Sequence, residues 1–101
     1  MIARIPLVYT VVMRLHALDV SERTLEKIER KHGIVFDEVE EVCLSRRVAV
    51  RRGREGLHRV FGRTNEGRYL LVVLKYNRPG AWIVVTARDM LAAERRLYGR
   101  K

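Results

Sequence analysis

Cysteine is almost absent from this sequence: Cys43 is the only one in 101 residues. An internal disulfide framework is therefore excluded, which favours a reducing compartment, and we expect a cytoplasmic location. A chain of this length is also too short to form two domains that each hold a core unaided. We therefore predict one domain over residues 1–101, without a linker or an internal repeat.

The sequence also lacks a hydrophobic run of the length that crosses a bilayer, which needs about 20 residues. The first apolar run, Ile5 to Met13, is followed by Arg14 and His16, and no small-x-small cleavage site comes cleanly after it. We therefore expect neither a membrane span nor a secretion signal.

Several motifs of common enzyme classes are missing. There is no Walker loop, no paired metal-ligand spacing and no Gly-x-Ser-x-Gly elbow. The three histidines, His16, His32 and His58, share no ligand spacing. We therefore predict no metal site and no cofactor.

Acidic residues are scarce in the second half of the chain. Residues 46–101 carry fifteen basic and four acidic residues, a net charge of +11, whereas residues 21–45 carry −3 and the whole chain carries +9. Seventeen of the basic residues are arginine, which makes planar two-pronged contacts to phosphate. A GC-rich or thermophilic composition would also raise the arginine content. The regional asymmetry instead favours an anionic partner: nucleic acid, an acidic protein or a membrane surface.

Two helices are predicted in the first half, after a strand over Val8 to Leu18. Ser21 is a candidate N-cap for the first helix, and Asp19 with Glu22 would serve as a capping box there. Gly33 supplies the left-handed end of this helix.

The second helix begins where Asp37 and Glu40 repeat the capping signal. Val39, Val42 and Cys43 fall on one side of it and predict a buried stripe. Cys43 is therefore expected to be a packing residue rather than a nucleophile.

Four strands and a last helix are predicted in the second half. The strands lie around residues 47–51, then at Leu57 to Thr64, Arg68 to Tyr76 and Ala81 to Ala87, with tight turns at 65–67 and 77–80. Asp89 is expected to cap a last helix with Met90, Ala93 and Leu97 inward. The order β-α-α-β-β-β-β-α and the short connections predict an α+β fold, an antiparallel meander sheet flanked by helices.

Arginines alternate with apolar residues along the predicted strands. Leu57, Arg59, Phe61 and Arg63 fall on one face of their strand, a pattern that suits a sugar-phosphate backbone and a stacked base. A solvated outer face is the alternative. Further candidate RNA-binding residues are Arg47 and Arg51 of the preceding strand and Arg95 of the last helix.

Arg88 ends the last predicted strand, beside the expected helix N-terminus, where backbone N–H groups favour an anion. An ion pair of Arg88 with Asp89 or Glu94 is the alternative. Lys31 and His32 lie in the last turn of the first helix, where the helix dipole alone stabilises cations.

Several segments resemble the BrnT toxin family over about residues 22–99. They are Lys31-His32-Gly33-Ile34, the acidic stretch 37–42, Gly67 to Val73, Val85 to Met90, and Glu94 to Tyr98. The resemblance implies a RelE-like fold and a ribonuclease toxin of a type II toxin–antitoxin pair, neutralised by a BrnA-type antitoxin. The positions that match the family's motifs are Lys31, His32, Arg63, Arg88, Glu94 and Tyr98.

The leading hypothesis from the sequence is thus a metal-independent RNA endonuclease in which the 2′-hydroxyl attacks the phosphate. Arg63 and Arg88 would stabilise charge on the phosphoryl oxygens. Proton transfer would fall to one of Lys31, His32, Glu94 and Tyr98, and Tyr98 could instead stack on a base or cover the core edge.

Two alternatives stay open at this point. One is a non-catalytic nucleic-acid-binding module. The other is an interaction protein that docks an acidic partner. A second copy of the chain is a further candidate partner, through the acidic second helix.

Overall fold

The computed structural model describes residues 17–45 and 48–99, so most of the predicted first strand and Arg47 lie outside the described residues. Its elements follow the predicted order. They are β1 (Ala17–Asp19), α1 (Glu22–His32), α2 (Phe36–Cys43), β2 (Ala49–Arg52), a single 3₁₀ turn (Arg54–Gly56), β3 (Leu57–Arg63), β4 (Tyr69–Arg78), β5 (Ala81–Asp89) and α3 (Ala92–Gly99).

The five strands form one sheet in the order β1-β5-β4-β3-β2. The meander from β2 to β5 is antiparallel, as predicted. The prediction is wrong for β1, which pairs with β5 in parallel, Leu18 opposite Trp82. The rule of short connections does not apply to this pair, because β1 and β5 are not neighbours along the chain.

One face of the sheet, called here the closed face, is covered by α1 and α2. Its core includes Ile28 and Val39 from these helices and Val60, Val72 and Leu74 from the strands, all essentially without solvent exposure. The three strand residues are apolar positions that alternation places on one side of each strand. The closed face therefore carries the main hydrophobic core.

The opposite face, called here the open face, is covered only in part by α3. Phe61, Leu71, Met90 and Tyr98 form a smaller buried cluster beneath this helix. Among the described residues, the rest of the open face is at least partly exposed to solvent, as at Arg59, Val73 and Thr86. No helix among the described residues combines the length and the apolar character needed to cross a membrane.

The local chemistry of α1 is the one that the sequence indicates. The Ser21 hydroxyl accepts a hydrogen bond from the Thr24 N–H at 3.1 Å. At the other end Gly33 takes the left-handed conformation, with φ +64°, which a side chain would disfavour. The choice of Ser21 over Asp19 follows, because Asp19 is still part of β1.

Two predicted helix starts are wrong. Helix α2 begins at Phe36, and the Glu38 carboxylate, not Asp37, accepts a hydrogen bond from the Val35 N–H at 3.1 Å. Asp89 is the last residue of β5, and α3 begins at Ala92.

The later start of α3 changes the side that it buries. Tyr98 is buried, whereas Leu97 is 50% exposed and Ala93 is exposed. The predicted inward stripe is therefore correct only for Met90, because the helix is rotated relative to one that begins at Asp89.

A candidate nucleic-acid site on the open face

The strand register brings the predicted site residues together on the open face. Directly opposed residues of paired strands point to the same side of a sheet. One row across the sheet runs from Arg51 to Arg59 and on to Val73 and Thr86. The adjacent row runs from Ala49 through Phe61 and Leu71 to Arg88. Strands β3 and β5 lie about 10 Å apart, two strand spacings, a gap that arginine side chains bridge.

Arg88 and Glu94 form a two-pronged ion pair at the point where β5 meets α3. The Nη1 and Nη2 groups of Arg88 donate to the two carboxylate oxygens of Glu94 at 2.9 and 3.0 Å. Nη1 also donates to the backbone oxygen of Asp89 at 3.0 Å, and Glu94 accepts a further bond from the Leu91 N–H at 2.7 Å. The ion pair that the sequence offered as the alternative for Arg88 is thus present, with Glu94 as the partner.

The ion pair leaves one edge of the Arg88 guanidinium unused. A guanidinium has five N–H groups, and three of those of Arg88 donate to Glu94 and Asp89. The other two, on Nε and Nη2, have no partner among the described residues and lie on one edge of the planar group. This edge has the geometry that binds two oxygens of a phosphate.

Glu94 is held as a carboxylate. Hydrogen bonds from Arg88 are the largest cause that lowers its pKa, against partial burial, and the Leu91 N–H and the charges of Arg88 and Arg59 lower it further. Glu94 is therefore ionised at neutral pH, which is the form that pairs with Arg88 and can accept a proton.

Two further predicted residues meet over Tyr69, which the sequence analysis missed. The guanidinium carbons of Arg63 and Arg95 lie 5.4 and 4.5 Å from the centre of the Tyr69 ring. This geometry is a cation–π contact, and Tyr98 meets Tyr69 edge to face at 5.9 Å. An aromatic residue directly after an arginine, at the start of a strand, was the available signal.

Phe61, one of the predicted RNA-binding residues, does not stand free on the sheet face. Phe61 is 8% exposed and packs in the cluster beneath α3 with Leu71 and Met90. Tyr98 is 9% exposed in the same cluster, so it covers the core edge, which was one of its two predicted roles. Alternation placed Phe61 on the correct face, but α3 covers that part of the face.

A cleft opens between the β2–β3 pair and α3. It has a volume of about 140 Å³, and its lining includes Arg51, Arg59, Glu94, Leu97 and Tyr98. Most of the lining surface is apolar, and its charged residues are Arg51, Arg59 and Glu94. Arg51 and Arg59 are exposed and form no hydrogen bond or ion pair with another described residue.

Arg68, which no sequence pattern singles out, bonds to three distant segments of the chain. Its Nε donates to Asp89 at 2.8 Å, Nη2 to the backbone oxygen of His32 at 2.7 Å, and Nη1 to that of Gly33 at 3.0 Å. It also forms an ion pair with Glu38 at 3.3 Å. These partners lie 21 to 36 residues away along the chain, so no local pattern could have indicated them.

Lys31 and His32 are not brought to Arg88. Both lie at the C-terminal end of α1, and neither side chain bonds to Arg88 or Glu94 within residues 17–45 and 48–99. The charge of His32 does help to lower the pKa of Asp89, after the larger effect of the Arg68 hydrogen bond. Arg47 lies outside the described residues.

The described residues offer neither a cluster of metal ligands nor a reactive cysteine. In the part of the chain that the structure describes, no group of three or more His, Cys, Asp and Glu residues could hold a metal ion. Burial, and secondly Glu40, raise the pKa of the Cys43 thiol to about 12. Cys43 is therefore an inert, buried packing residue, as predicted.

Comparison with known proteins places this fold. No protein-family model matches the sequence, and no curated protein matches it. A solved structure does match: the ribonuclease toxin BrnT of Brucella abortus, with 18% sequence identity and a TM-score of 0.63 over 74% of this chain and 96% of that chain. The fold is therefore BrnT-like, as the sequence resemblance implied.

Proposed function

We propose that this protein is a ribonuclease toxin that cleaves RNA through the 2′-hydroxyl of the substrate. The observation that carries the proposal is the edge of Arg88 that has no partner among the described residues, which the Glu94 ion pair fixes in place on a basic, open sheet face. The BrnT-like fold supports the same class of activity.

The proposed reaction moves two protons and exchanges one phosphorus–oxygen bond for another. The 2′-oxygen attacks the phosphorus, the bond to the 5′-oxygen breaks, and the products are a 2′,3′-cyclic phosphate and a 5′-hydroxyl. Arg88 binds the non-bridging oxygens, where negative charge develops in the transition state. The second proposed phosphate ligand is Arg63, which lies on the same face.

Glu94 is the proposed base for the 2′-hydroxyl proton. Of the four candidates for proton transfer, it is the one that the structure joins directly to Arg88. Tyr98, which lies on α3 with Glu94, is the proposed acid that protonates the leaving 5′-oxygen, because the side chains of Lys31 and His32 do not bond to Arg88 or Glu94 in the part of the chain that the structure describes. Arginine is excluded from both roles, because its pKa lies above about 12.

The proposed partners are RNA and an acidic antitoxin of BrnA type, and the proposed location is the cytoplasm. A basic face that binds RNA also attracts an acidic protein segment, and one bound there would exclude the substrate. An antitoxin complex that leaves the Arg59 and Arg88 face accessible would contradict this mode of inhibition.

The test is cleavage of a defined RNA by the purified protein, with and without a chelator. We expect chelator-resistant cleavage, a 2′,3′-cyclic phosphate end, and no cleavage where a 2′-deoxynucleotide replaces the ribonucleotide at the cut. Arg88→Ala should slow cleavage by about 10²–10³-fold. Arg96→Ala is the matched control. Arg96 is exposed on α3, and its replacement removes the same charge.

Two outcomes would contradict the proposal. One is cleavage of the 2′-deoxy substrate at the same bond. The other is equal activity of Arg88→Ala and Arg96→Ala, both folded.

A non-catalytic RNA-binding module is the second candidate. The exposed Arg51 and Arg59 favour it, because binding phosphate with them needs no proton transfer. RNA that is bound but stays intact would assign this function. Binding of an acidic protein without any binding of RNA would instead assign an interaction protein.

A further inference from the structure

The cleft beside α3 combines apolar surface with two arginines that have no ion-pair partner in residues 17–45 and 48–99. Arg51 and Arg59 are directly opposed in the β2–β3 pair, and like charges in this arrangement destabilise a sheet. Glu94, the carboxylate that lines the cleft with them, already accepts two hydrogen bonds from Arg88. The pair of arginines is therefore suited to an anion from outside the protein.

The apolar part of the cleft suits a small planar ring. Phe61 and Tyr98 lie beneath it, and Leu97 stands at its side with half of its surface exposed. The volume of about 140 Å³ is well below the roughly 300–1,000 Å³ of pockets for drug-sized ligands. One base-sized ring system fits such a cleft, with the rest of the ligand outside.

We propose that this cleft binds one nucleobase of the RNA, with Arg51 and Arg59 on an adjacent phosphate. A nucleotide supplies an anion and a planar ring at a fixed separation, which is the combination that the cleft offers. Binding of a base here is sequence-tolerant stacking against apolar side chains together with a charge-assisted contact to phosphate.

The position of Glu94 connects the cleft to the proposed reaction, and this step rests on the proposed function. Glu94 lines the cleft and holds Arg88. A base in the cleft thus lies next to the phosphate that Arg88 binds, and the cleft positions the nucleotide beside the cut.

The test is a titration of the intact protein, followed by amide NMR shifts, with each of the four nucleoside 3′-monophosphates. Ribose 5-phosphate is the control without a base. We expect at least one nucleotide to bind about tenfold more tightly than ribose 5-phosphate, with shifts at residues of β2, β3 and α3 around the cleft. Equal affinity of ribose 5-phosphate and all four nucleotides would overturn the proposal.

Two leucine variants make the test specific. Leu97→Ala removes one side of the cleft, and we expect the preference for nucleotide over ribose 5-phosphate to fall below threefold. Leu44→Ala is the matched control: Leu44 is also exposed, and it lies at the end of α2, outside the cleft. If both variants reduce the preference equally, the preference belongs to another surface. If an acidic peptide shifts the cleft amides and no nucleotide does, the cleft binds an acidic protein segment instead. Either result would overturn the proposal.

RNA cleavage measured in parallel separates this proposal from the proposed function. Cleavage together with base-independent binding overturns the nucleobase cleft and leaves the nuclease. Base-dependent binding without cleavage supports the cleft and overturns the nuclease.

Discussion

The two faces of the sheet differ in how far their apolar side chains are buried and their charged side chains are paired within the protein. On the closed face, Val60, Leu70 and Val72 are fully buried, and the charged Arg68 has a partner for each of its nitrogens. On the open face, α3 covers one corner, and Arg51 and Arg59 have no partner among the described residues. The closed face therefore contributes most of the stability, whereas the open face carries the exposed charges to which we assign RNA binding.

The largest difference between the faces should appear on truncation of leucines. Leu74 has no solvent exposure and lies in the closed-face core, so Leu74→Ala should lower the free energy of unfolding by about 2–5 kcal/mol. Leu97 is half exposed, and Leu97→Ala should change it by less than about 0.5 kcal/mol. Urea unfolding monitored by circular dichroism measures both values. Similar losses would mean that the faces contribute equally to stability.

The second difference concerns two arginines that the sequence alone does not distinguish. Arg68→Ala should lower the free energy of unfolding by about 1–3 kcal/mol, because it removes charge-assisted hydrogen bonds from two helices and β5. Arg59→Ala should change stability by less than about 0.5 kcal/mol and should weaken RNA binding. Thermal unfolding and fluorescence anisotropy with a labelled RNA measure the two effects. Loss of stability in Arg59→Ala would show that this residue has a structural role.

The contrast between Arg68 and Ser21 explains how far the sequence could predict the structure. The cap at Ser21, the helix end at Gly33 and the hairpin turn at Gly67 are decided by neighbouring residues, so they could be predicted. Asp89 has the same local signature as a helix cap. It remains in β5 with its side chain bound to Arg68, 21 residues away, and a distant contact of this kind leaves no local pattern.

The candidate site was predictable to a similar extent. Alternation placed Arg59 and Phe61 on one face, and the short separation of Arg88 from Glu94 made their ion pair one of the predicted alternatives. The sequence does not show where α3 lies across this face. Its position decides that Phe61 is buried and that Arg59 is exposed.

A smaller effect should appear in the salt dependence of RNA binding. Each phosphate contact on single-stranded nucleic acid contributes about 0.7 to the slope of log affinity against log salt concentration. Replacing Arg51 and Arg59 together by alanine should therefore reduce the slope by about 1.4. The control is a double replacement of Arg23 and Arg30, which are exposed on α1 and carry the same charge. Equal reductions would show that net charge, rather than the open face, determines binding.

The smallest expected effect is on stability in acid, where one carboxylate from each face can be compared. Hydrogen bonds from Arg68 lower the pKa of Asp89, and those from Arg88 lower the pKa of Glu94. A carboxyl whose pKa is lower in the folded state stabilises the protein above its unfolded pKa of about 4. It loses this contribution as the pH falls through the folded value.

The side chain of Asp89 is 58% exposed and that of Glu94 only 18%, so solvent screens the Asp89 pair more strongly. Glu94→Gln should therefore cost up to about 1 kcal/mol at pH 7, and Asp89→Asn less. Both differences should shrink as the pH falls below about 4 towards the lowered folded pKa values, because the carboxylates then become protonated. Urea unfolding at pH 7, 4 and 3 measures them, and a cost that is the same at pH 3 as at pH 7 would mean that the charge of the carboxylate does not contribute.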